Sequence, residues 1–194
     1  MAVMPDPRIL IFAGSLRKGS LNKKLARVAF EALKSAGGDA TLIDLADFPV
    51  PVYDGDLEAE KGLPENARKL KALMIGHPGL LIVTPEYNSS IPGALKNVLD
   101  WASRQEGEEP VLAAYKGKTA ALLSASPGAL GGLRSLVVLR AMLENIGTLV
   151  IPQQLAVSRA HEAFSGDGSL KDAKQKAAVD GVALALVALL KKLQ

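Results

Sequence analysis

Five short apolar runs, each followed by a segment with helical spacing, constrain the fold of this chain more than any other feature. The runs predict strands at residues 8–14, 40–45, 79–84, 118–124 and 148–152. Helices are predicted at residues 21–35, 64–76, 92–104 and 133–146, and from residue 169 onward. Parallel strands need such crossover connections, and continuous apolar runs are typical of strands that are covered on both faces. The pattern therefore predicts an α/β fold, with a parallel sheet between two layers of helices.

The composition indicates one folded domain over residues 1–194. Hydrophobic residues make up 48% of the chain and charged residues 22%, and no Pro-, Gly- or Ser-rich stretch divides it. The chain has no cysteine, which excludes disulfides, thiolate nucleophiles and cysteine-ligated metal sites. Any redox chemistry must therefore belong to a bound cofactor.

Neither nucleic acid nor a membrane is an expected partner. The net charge is only +3, because the cations are spread among 20 acidic residues. The apolar tail at residues 177–190 is interrupted by Asp180 and is shorter than the roughly 20 residues that span a bilayer, so it predicts a buried or interface helix. The first residues lack the basic and apolar segments of a signal peptide, and we expect a cytoplasmic protein.

Ligands of such sheets bind beyond the carboxyl ends of the strands, which directs attention to the loops after the first, third and fourth strands. The first loop, residues 14–22, joins a buried strand to a helix, where free backbone N–H groups and the helix dipole favour an anion. No acidic residue occurs from residue 7 to residue 30. The loop therefore predicts a phosphate site, with Ser15, Arg17, Ser20 and Asn22 as polar candidates.

An alternative interpretation of this loop stays open, in which Ser20 only caps the helix. Lys23, Lys24 and Arg27 are expected to form the solvated face of that helix. The segment matches neither the dinucleotide-binding glycine fingerprint nor the phosphate loop of nucleoside triphosphatases. A monophosphate such as that of FMN remains a suitable ligand.

The loop after the third strand carries two prolines, a carboxylate, an aromatic ring and an amide at residues 85–92. It offers fixed backbone donors and acceptors to a ligand. Taken alone, Tyr87 is equally well explained as a tyrosine packed on the core, and Asn88 as a turn former.

The segments GSLRKGSLN (residues 14–22) and TPEYNSSIPGALKNVLDWASR (residues 84–104) together resemble the NADPH-dependent FMN reductase family, which includes chromate- and quinone-reducing flavoproteins. The resemblance implies a flavodoxin-like three-layer sandwich with strand order 2-1-3-4-5, bound FMN, and a homodimer or homotetramer. It implies FMN-binding roles for Ser15, Arg17, Ser20, Leu21, Asn22, Pro85, Glu86, Tyr87, Asn88, Ser126 and Gly128. In this set the first five surround the phosphate, the next four lie against the ring, and the last two close over the ring from the other side.

Other positions receive supporting roles. Asn97, Asp100 and Trp101 are expected to support the loop after the third strand from a helix, and residues 48–54 resemble a family loop near the active site. The helix at residues 133–146 has apolar groups around much of its circumference, so another subunit is expected to cover one face. His77 and His161 are expected to be ordinary surface or loop residues, and no metal site is predicted.

The functional hypothesis is an FMN-dependent oxidoreductase that passes electrons from NADPH or NADH through FMN to a small-molecule acceptor. Quinones, azo compounds, flavins and metal oxyanions such as chromate are the acceptor classes, and no side chain is required as a catalytic acid or base. The alternative is a flavodoxin-type FMN electron carrier that acts with protein partners. Such carriers are usually acidic and sandwich the ring between aromatics, whereas this chain is basic and 4% aromatic.

Overall fold

The computed structural model describes residues 5–194, and within them five strands form a single parallel sheet. The strands are β1 (Arg8–Ala13), β2 (Asp39–Asp44), β3 (Gly79–Val83), β4 (Thr119–Ala125) and β5 (Leu149–Val157). Their order across the sheet is β2-β1-β3-β4-β5, and every pair is parallel. The predicted fold class and strand order are confirmed.

Helices cover both faces of this sheet. They are α1 (Leu21–Ser35), α2 (Gly55–Lys61), α3 (Glu65–Gly76), α4 (Gly93–Ser103), α5 (Leu133–Asn145), α6 (Ala160–Ala163) and α7 (Ala173–Leu193), with a 3₁₀ turn at Leu45–Asp47. Successive side chains of a strand point to opposite faces. Ile9 and Ile11 accordingly pack in the core beneath α1 and α7, whereas Leu10 and Phe12 pack beneath α3, α4 and α5. The C-terminal helix is therefore buried against the sheet, as predicted.

Strand β5 runs five residues beyond its predicted end at Pro152. Proline is tolerated at the edge of a sheet or at a bulge, and both conditions hold here, since β5 is an edge strand whose register against β4 shifts between Val150 and Gln154. Arg140 of α5 donates to the backbone oxygens of Val150 and Ile151, at 3.1 and 2.8 Å, and so satisfies carbonyl groups at the shift.

Helices α2 and α7 also differ from the sequence prediction. Helix α2 lies in what the sequence indicates as a Pro-rich connection, and none of its residues is buried, so it leaves no apolar period to detect. Helix α7 begins at Ala173 rather than near Ser169, because Asp172 caps it by accepting from the backbone N–H of Lys174.

Helix α5 leaves one apolar side uncovered. Leu136, Leu139 and Leu143 are fully buried, but Val137 is 59% exposed and Leu133 is 42% exposed. This is the face that the sequence predicts to meet another subunit.

Residues 1–4, on which the expectation of no signal peptide partly depends, lie outside the described residues. From residue 5 to residue 194, the helices are all too short or too polar to cross a membrane.

Candidate functional site

Three loops at the carboxyl edge of the sheet enclose a cavity of about 190 Å³. We name them loop A (residues 14–20, after β1), loop B (residues 84–92, after β3) and loop C (residues 126–132, after β4). The cavity is lined by Ser15, Arg17, Gly19, Ser20, Leu21, Asn22, Pro85, Glu86, Tyr87, Ala125, Ser126 and Pro127. Of the residues predicted from the sequence, Asn88 and Gly128 are outside this lining, whereas Gly19, Ala125 and Pro127 are additions to it.

One end of the cavity is the start of helix α1, which is suited to an anion. Ser20 is buried and caps the helix by accepting from the backbone N–H of Lys23 at 3.4 Å. The N–H groups of Leu21 and Asn22 precede the first turn of helical hydrogen bonds and point out of the helix end. The first turn contains no acidic residue, and the exposed Arg17 lies in the lining. Backbone donors, helix dipole and a guanidinium therefore act together on a negative ligand.

The sequence predicts Lys23 on the solvated face of α1, but in the structure its side chain is largely buried and pairs with Asp44. Its Nζ is 2.6 Å from the Oδ2 atom of Asp44, at the end of β2. Burial raises the pKa of Asp44, but the Lys23 hydrogen bond, the backbone N–H of Ala46 and the charges of Lys23 and Arg27 hold it below its usual value. Asp44 therefore stays ionised and neutralises Lys23, so Arg17 is the better candidate for a ligand anion.

Asn22 joins loop A to the end of β4. Its Nδ2 donates to the backbone oxygen of Ala125 at 2.8 Å, and its Oδ1 accepts from the Ala125 N–H at 2.9 Å. The side chain is buried, and Ala125 itself lines the cavity. The Asn22 amide thus fixes the geometry of the site, and its backbone N–H is the group that faces outward.

We expect Asn22→Leu to lower the free energy of unfolding by roughly 2–4 kcal/mol, since two buried hydrogen bonds are lost and a backbone donor and acceptor are left unpaired. Chemical denaturation followed by circular dichroism measures the change. Asn66→Leu is the matched control, because Asn66 makes one exposed hydrogen bond, to Pro49, and should change stability by less than about 1 kcal/mol. Equal stabilities of the two variants would contradict this role of Asn22.

Loop B contains a tight two-residue turn. Tyr87 and Ser90 exchange both backbone hydrogen bonds at 3.0 Å, with Asn88 and Ser89 between them at φ values of 52° and 65°. Such left-handed conformations are accessible to Asn more readily than to most residues. Asn88 therefore shapes the turn, as the turn-former interpretation holds, while Tyr87 lines the cavity and is 49% exposed.

The helix after loop B supports a different loop from the one expected. Asn97 accepts from the Tyr53 N–H and donates to the Pro51 oxygen, each at 2.8 Å, and the Trp101 indole N–H donates to the same oxygen at 2.9 Å. These side chains hold the loop after β2, at residues 48–54, rather than loop B. Asp100 instead pairs with Lys96 on the same helix.

Loop B is fixed to the end of β4, from which loop C starts, at the base of the cavity. The buried Ser124 hydroxyl donates to the backbone oxygen of Thr84 at 2.6 Å. Ser126, in the lining, accepts from the Gly128 N–H at 3.3 Å, so Gly128 shapes loop C from outside the cavity.

Glu86 links the rim of loop B to the start of α5, which directly follows loop C. Its carboxylate is 9% exposed and accepts from the Arg134 Nε at 2.6 Å and from the Arg134 backbone N–H at 3.1 Å. Arg134 belongs to the first turn of α5 and is separated from Glu86 by 48 residues, so local sequence patterns give no indication of the pair.

The histidines take no part in this site. His77 is buried at the end of α3 rather than on the surface, with Nδ1 2.6 Å from the Leu73 oxygen and Nε2 3.1 Å from the Thr41 hydroxyl. His161 is exposed beside Glu162. In the described part of the chain, acidic and histidine side chains nowhere cluster as metal ligands would.

Known proteins with similar sequences include quinone reductases, and solved structures of the same fold include both flavoenzymes and a flavodoxin. The profile of the NADPH-dependent FMN reductase family matches residues 7–162. A quinone reductase of Escherichia coli (strain K12) is 35% identical over 144 residues, 74% of this chain and 73% of that protein. A 2-hydroxy-1,4-benzoquinone reductase of Burkholderia sp is 41% identical over 124 residues, 64% of this chain. The latter match spans 63% of the relative, slightly less than two thirds.

A similar solved structure is FerB, a flavoenzyme NAD(P)H:(acceptor) oxidoreductase from Paracoccus denitrificans. It superposes with a TM-score of 0.82 at 33% sequence identity, over 96% of this chain and 98% of FerB. The likeness therefore extends over nearly the whole of both chains.

Proposed function

Because the chain belongs to the NADPH-dependent FMN reductase family, we propose that the cavity between loops A, B and C holds FMN and serves the reduction of quinones by NAD(P)H. Membership confirms the resemblance found in the sequence, and the protein is an oxidoreductase that uses FMN and NAD(P)H. One observation carries the proposal for the site. An acid-free helix start and an open slot beside a half-exposed tyrosine share a single cavity.

The phosphate of FMN fits the start of α1. The residues that line the cavity on this side carry suitable donors: Ser15 and Ser20 have hydroxyls, Arg17 has a guanidinium, and Leu21 and Asn22 have backbone N–H groups at the helix start. A dianion gains most where backbone donors and the helix dipole converge and no carboxylate opposes it. These residues bind the phosphate and determine where the rest of the ligand extends.

The flavin ring fits between loops B and C. Pro85, Glu86 and Tyr87 supply backbone groups on one side, and Ser126 supplies a hydroxyl and backbone on the other. Asn88 and Gly128 lie outside the cavity lining and act indirectly, because they determine the backbone conformation of loops B and C. The two prolines and the paired turn keep loop B rigid, so little conformational entropy is lost when the ring binds.

When bound, FMN supplies the acceptance of hydride from NAD(P)H and the delivery of electrons to an acceptor. The protein orients the ring and leaves one side open, so that nicotinamide nucleotide and acceptor use the same place in turn. Quinones are the proposed acceptor class, since two similar proteins are named for quinone reduction. Azo compounds, free flavins and metal oxyanions such as chromate fit the same open side.

We further propose that the protein forms a homodimer or homotetramer through the uncovered side of α5, where Leu133 and Val137 are exposed close to loop C. Two exposed apolar helix faces are buried together most simply when copies of one chain associate. A cytoplasmic location, where NAD(P)H is produced, accords with this activity.

The experiment begins with the visible spectrum of the purified protein after FMN is added and free FMN removed. NAD(P)H oxidation is then followed without oxygen, in the presence and absence of a benzoquinone. We expect a retained flavin spectrum and quinone-dependent oxidation. Retained flavin without NAD(P)H oxidation would support an electron carrier instead, and a protein that retains no flavin would contradict the assigned site.

A further inference from the structure

We propose that Arg134 is a positioning residue of the FMN site, which acts through Glu86 to hold loops B and C at the spacing that the flavin ring needs. This inference rests on the proposed function of the cavity. It concerns a residue outside the cavity lining, and its consequence is measurable in the affinity for FMN.

The Glu86 carboxylate is committed to Arg134 in this structure. It receives the guanidinium through Nε at 2.6 Å and through Nη2, and it accepts the Arg134 backbone N–H at 3.1 Å. The carboxylate is almost wholly shielded from water, with 9% of the side chain exposed. A shielded carboxylate without a cationic partner is strongly disfavoured, so Glu86 keeps this orientation only while Arg134 is present.

The same contact completes the start of α5. The residue before the helix, Gly132, has no side chain and cannot cap it. Glu86 supplies the missing acceptor from another loop, and a negative group is favoured at a helix start. The position of loop B is thereby fixed relative to the helix that follows loop C.

Loop B needs such an external anchor because its turn is not at a conformational minimum. Asn88 and Ser89 both adopt left-handed backbone angles without being glycine. Such conformations persist when the surroundings hold them. The Ser124–Thr84 hydrogen bond fixes the base of the loop, and the Glu86–Arg134 pair fixes its rim, next to Tyr87.

Two interactions therefore hold the slot for the ring: the buried Ser124–Thr84 hydrogen bond and, at the rim, the Glu86–Arg134 ion pair. Removal of the Glu86–Arg134 pair leaves the core contacts in place, but the rim of loop B is then no longer held against the start of α5. We expect the apoprotein to stay folded and the ring to be held less tightly and in an altered environment.

The test compares Arg134→Met, Glu86→Gln and the double variant with the wild type. FMN affinity is measured from the quenching of flavin fluorescence on binding to apoprotein. We expect each single variant to raise the Kd on the order of tenfold, as the loss of a charge-assisted hydrogen bond implies. The double variant should be no weaker than the weaker single variant, because both remove the same interaction.

The visible absorption bands of FMN at saturation provide a readout that a loss of stability alone does not move. We expect these bands to shift in Arg134→Met and to return toward the wild-type position in Arg134→Lys, which restores a cation. Arg68→Met is the matched control, since the Arg68 side chain is about as exposed as that of Arg134, at 47% against 56%, and pairs with Glu106 away from the cavity. It should leave both affinity and spectrum unchanged.

Wild-type affinity in Arg134→Met, or additive losses in the double variant, would overturn the inference. Should Arg134→Met fail to fold, Glu86→Gln takes its place in the comparison, because it removes the charge of the same pair with a smaller change, and Arg134→Lys stays the variant that keeps a cation. A wild-type protein that binds no FMN contradicts the proposed function itself, whereas tight binding by both wild type and Arg134→Met contradicts only the role of Arg134.

Discussion

Ser20→Asp should weaken FMN binding about a hundredfold or more while helix α1 stays intact. Asp caps a helix as well as Ser does, so the backbone at the start of α1 is preserved. The new carboxylate lies where the phosphate is proposed to bind. At an effective dielectric constant of about 20, two unit charges roughly 5 Å apart repel by about 3 kcal/mol, which corresponds to this loss of affinity.

Ser20→Asn is the control for this prediction, because Asn has the size of Asp, caps helices equally well and carries no charge. The two Kd values are compared by titration of FMN into apoprotein, at low and high salt. We expect the difference between the variants to shrink as salt rises. Equal affinities of the Asp and Asn variants at low salt would mean that the phosphate binds elsewhere.

Gly132→Ala is expected to lower the free energy of unfolding by roughly 3 kcal/mol or more. A Cβ atom at this position would lie 1.9 Å from the Ser124 hydroxyl oxygen, and the backbone has φ +92°. Both the clash and the left-handed backbone oppose alanine. Relief of the clash would move the hydroxyl that ties β4 to Thr84, so loops B and C would also separate.

Thermal unfolding of the apoprotein measures this effect, with an expected fall of roughly ten degrees in Tm. Gly128→Ala serves as the control for stability, since its Cβ would meet nothing closer than the Ser126 hydroxyl at 3.7 Å. Equal unfolding temperatures of the Gly132→Ala and Gly128→Ala variants would show that loop C accommodates the methyl group.

Most of the sheet could be predicted because its signal is local. Each strand is a short apolar run, and helix α1 has a polar cap, a regular apolar period and glycines at its end, so its predicted bounds are those observed. The missed end of β5 has a different cause. Pro152 indicates a strand end when read alone, and only the edge position and the register shift make it acceptable within the strand.

For the candidate site, the sequence indicates the loops that line the cavity but not the contacts that hold these loops in place. Loop A and the lining part of loop B follow from short segments whose chemistry is visible in order along the chain. The contacts that hold the site in place are not visible in this way. Asn22 meets Ala125 across 103 residues, and Glu86 meets Arg134 across 48 residues. Sequence reasoning consequently gave the Asn22 side chain no partner within the protein and gave Arg134 no role, because residue type alone does not reveal which backbone or side chain will be near.

The capping of α5 by Glu86 has a consequence for the direction of a bound ligand. Helices α1 and α5 both begin near the cavity, and either start would attract an anionic group. The α5 start already holds a carboxylate of the protein, whereas the α1 start holds only the neutral Ser20. The Arg134 backbone N–H at the α5 start is thus already occupied, so we expect the anionic end of a bound ligand to lie at the α1 start. The Glu86 carboxylate, which is part of the protein and need not contact the flavin, would in this way determine the orientation of the ligand.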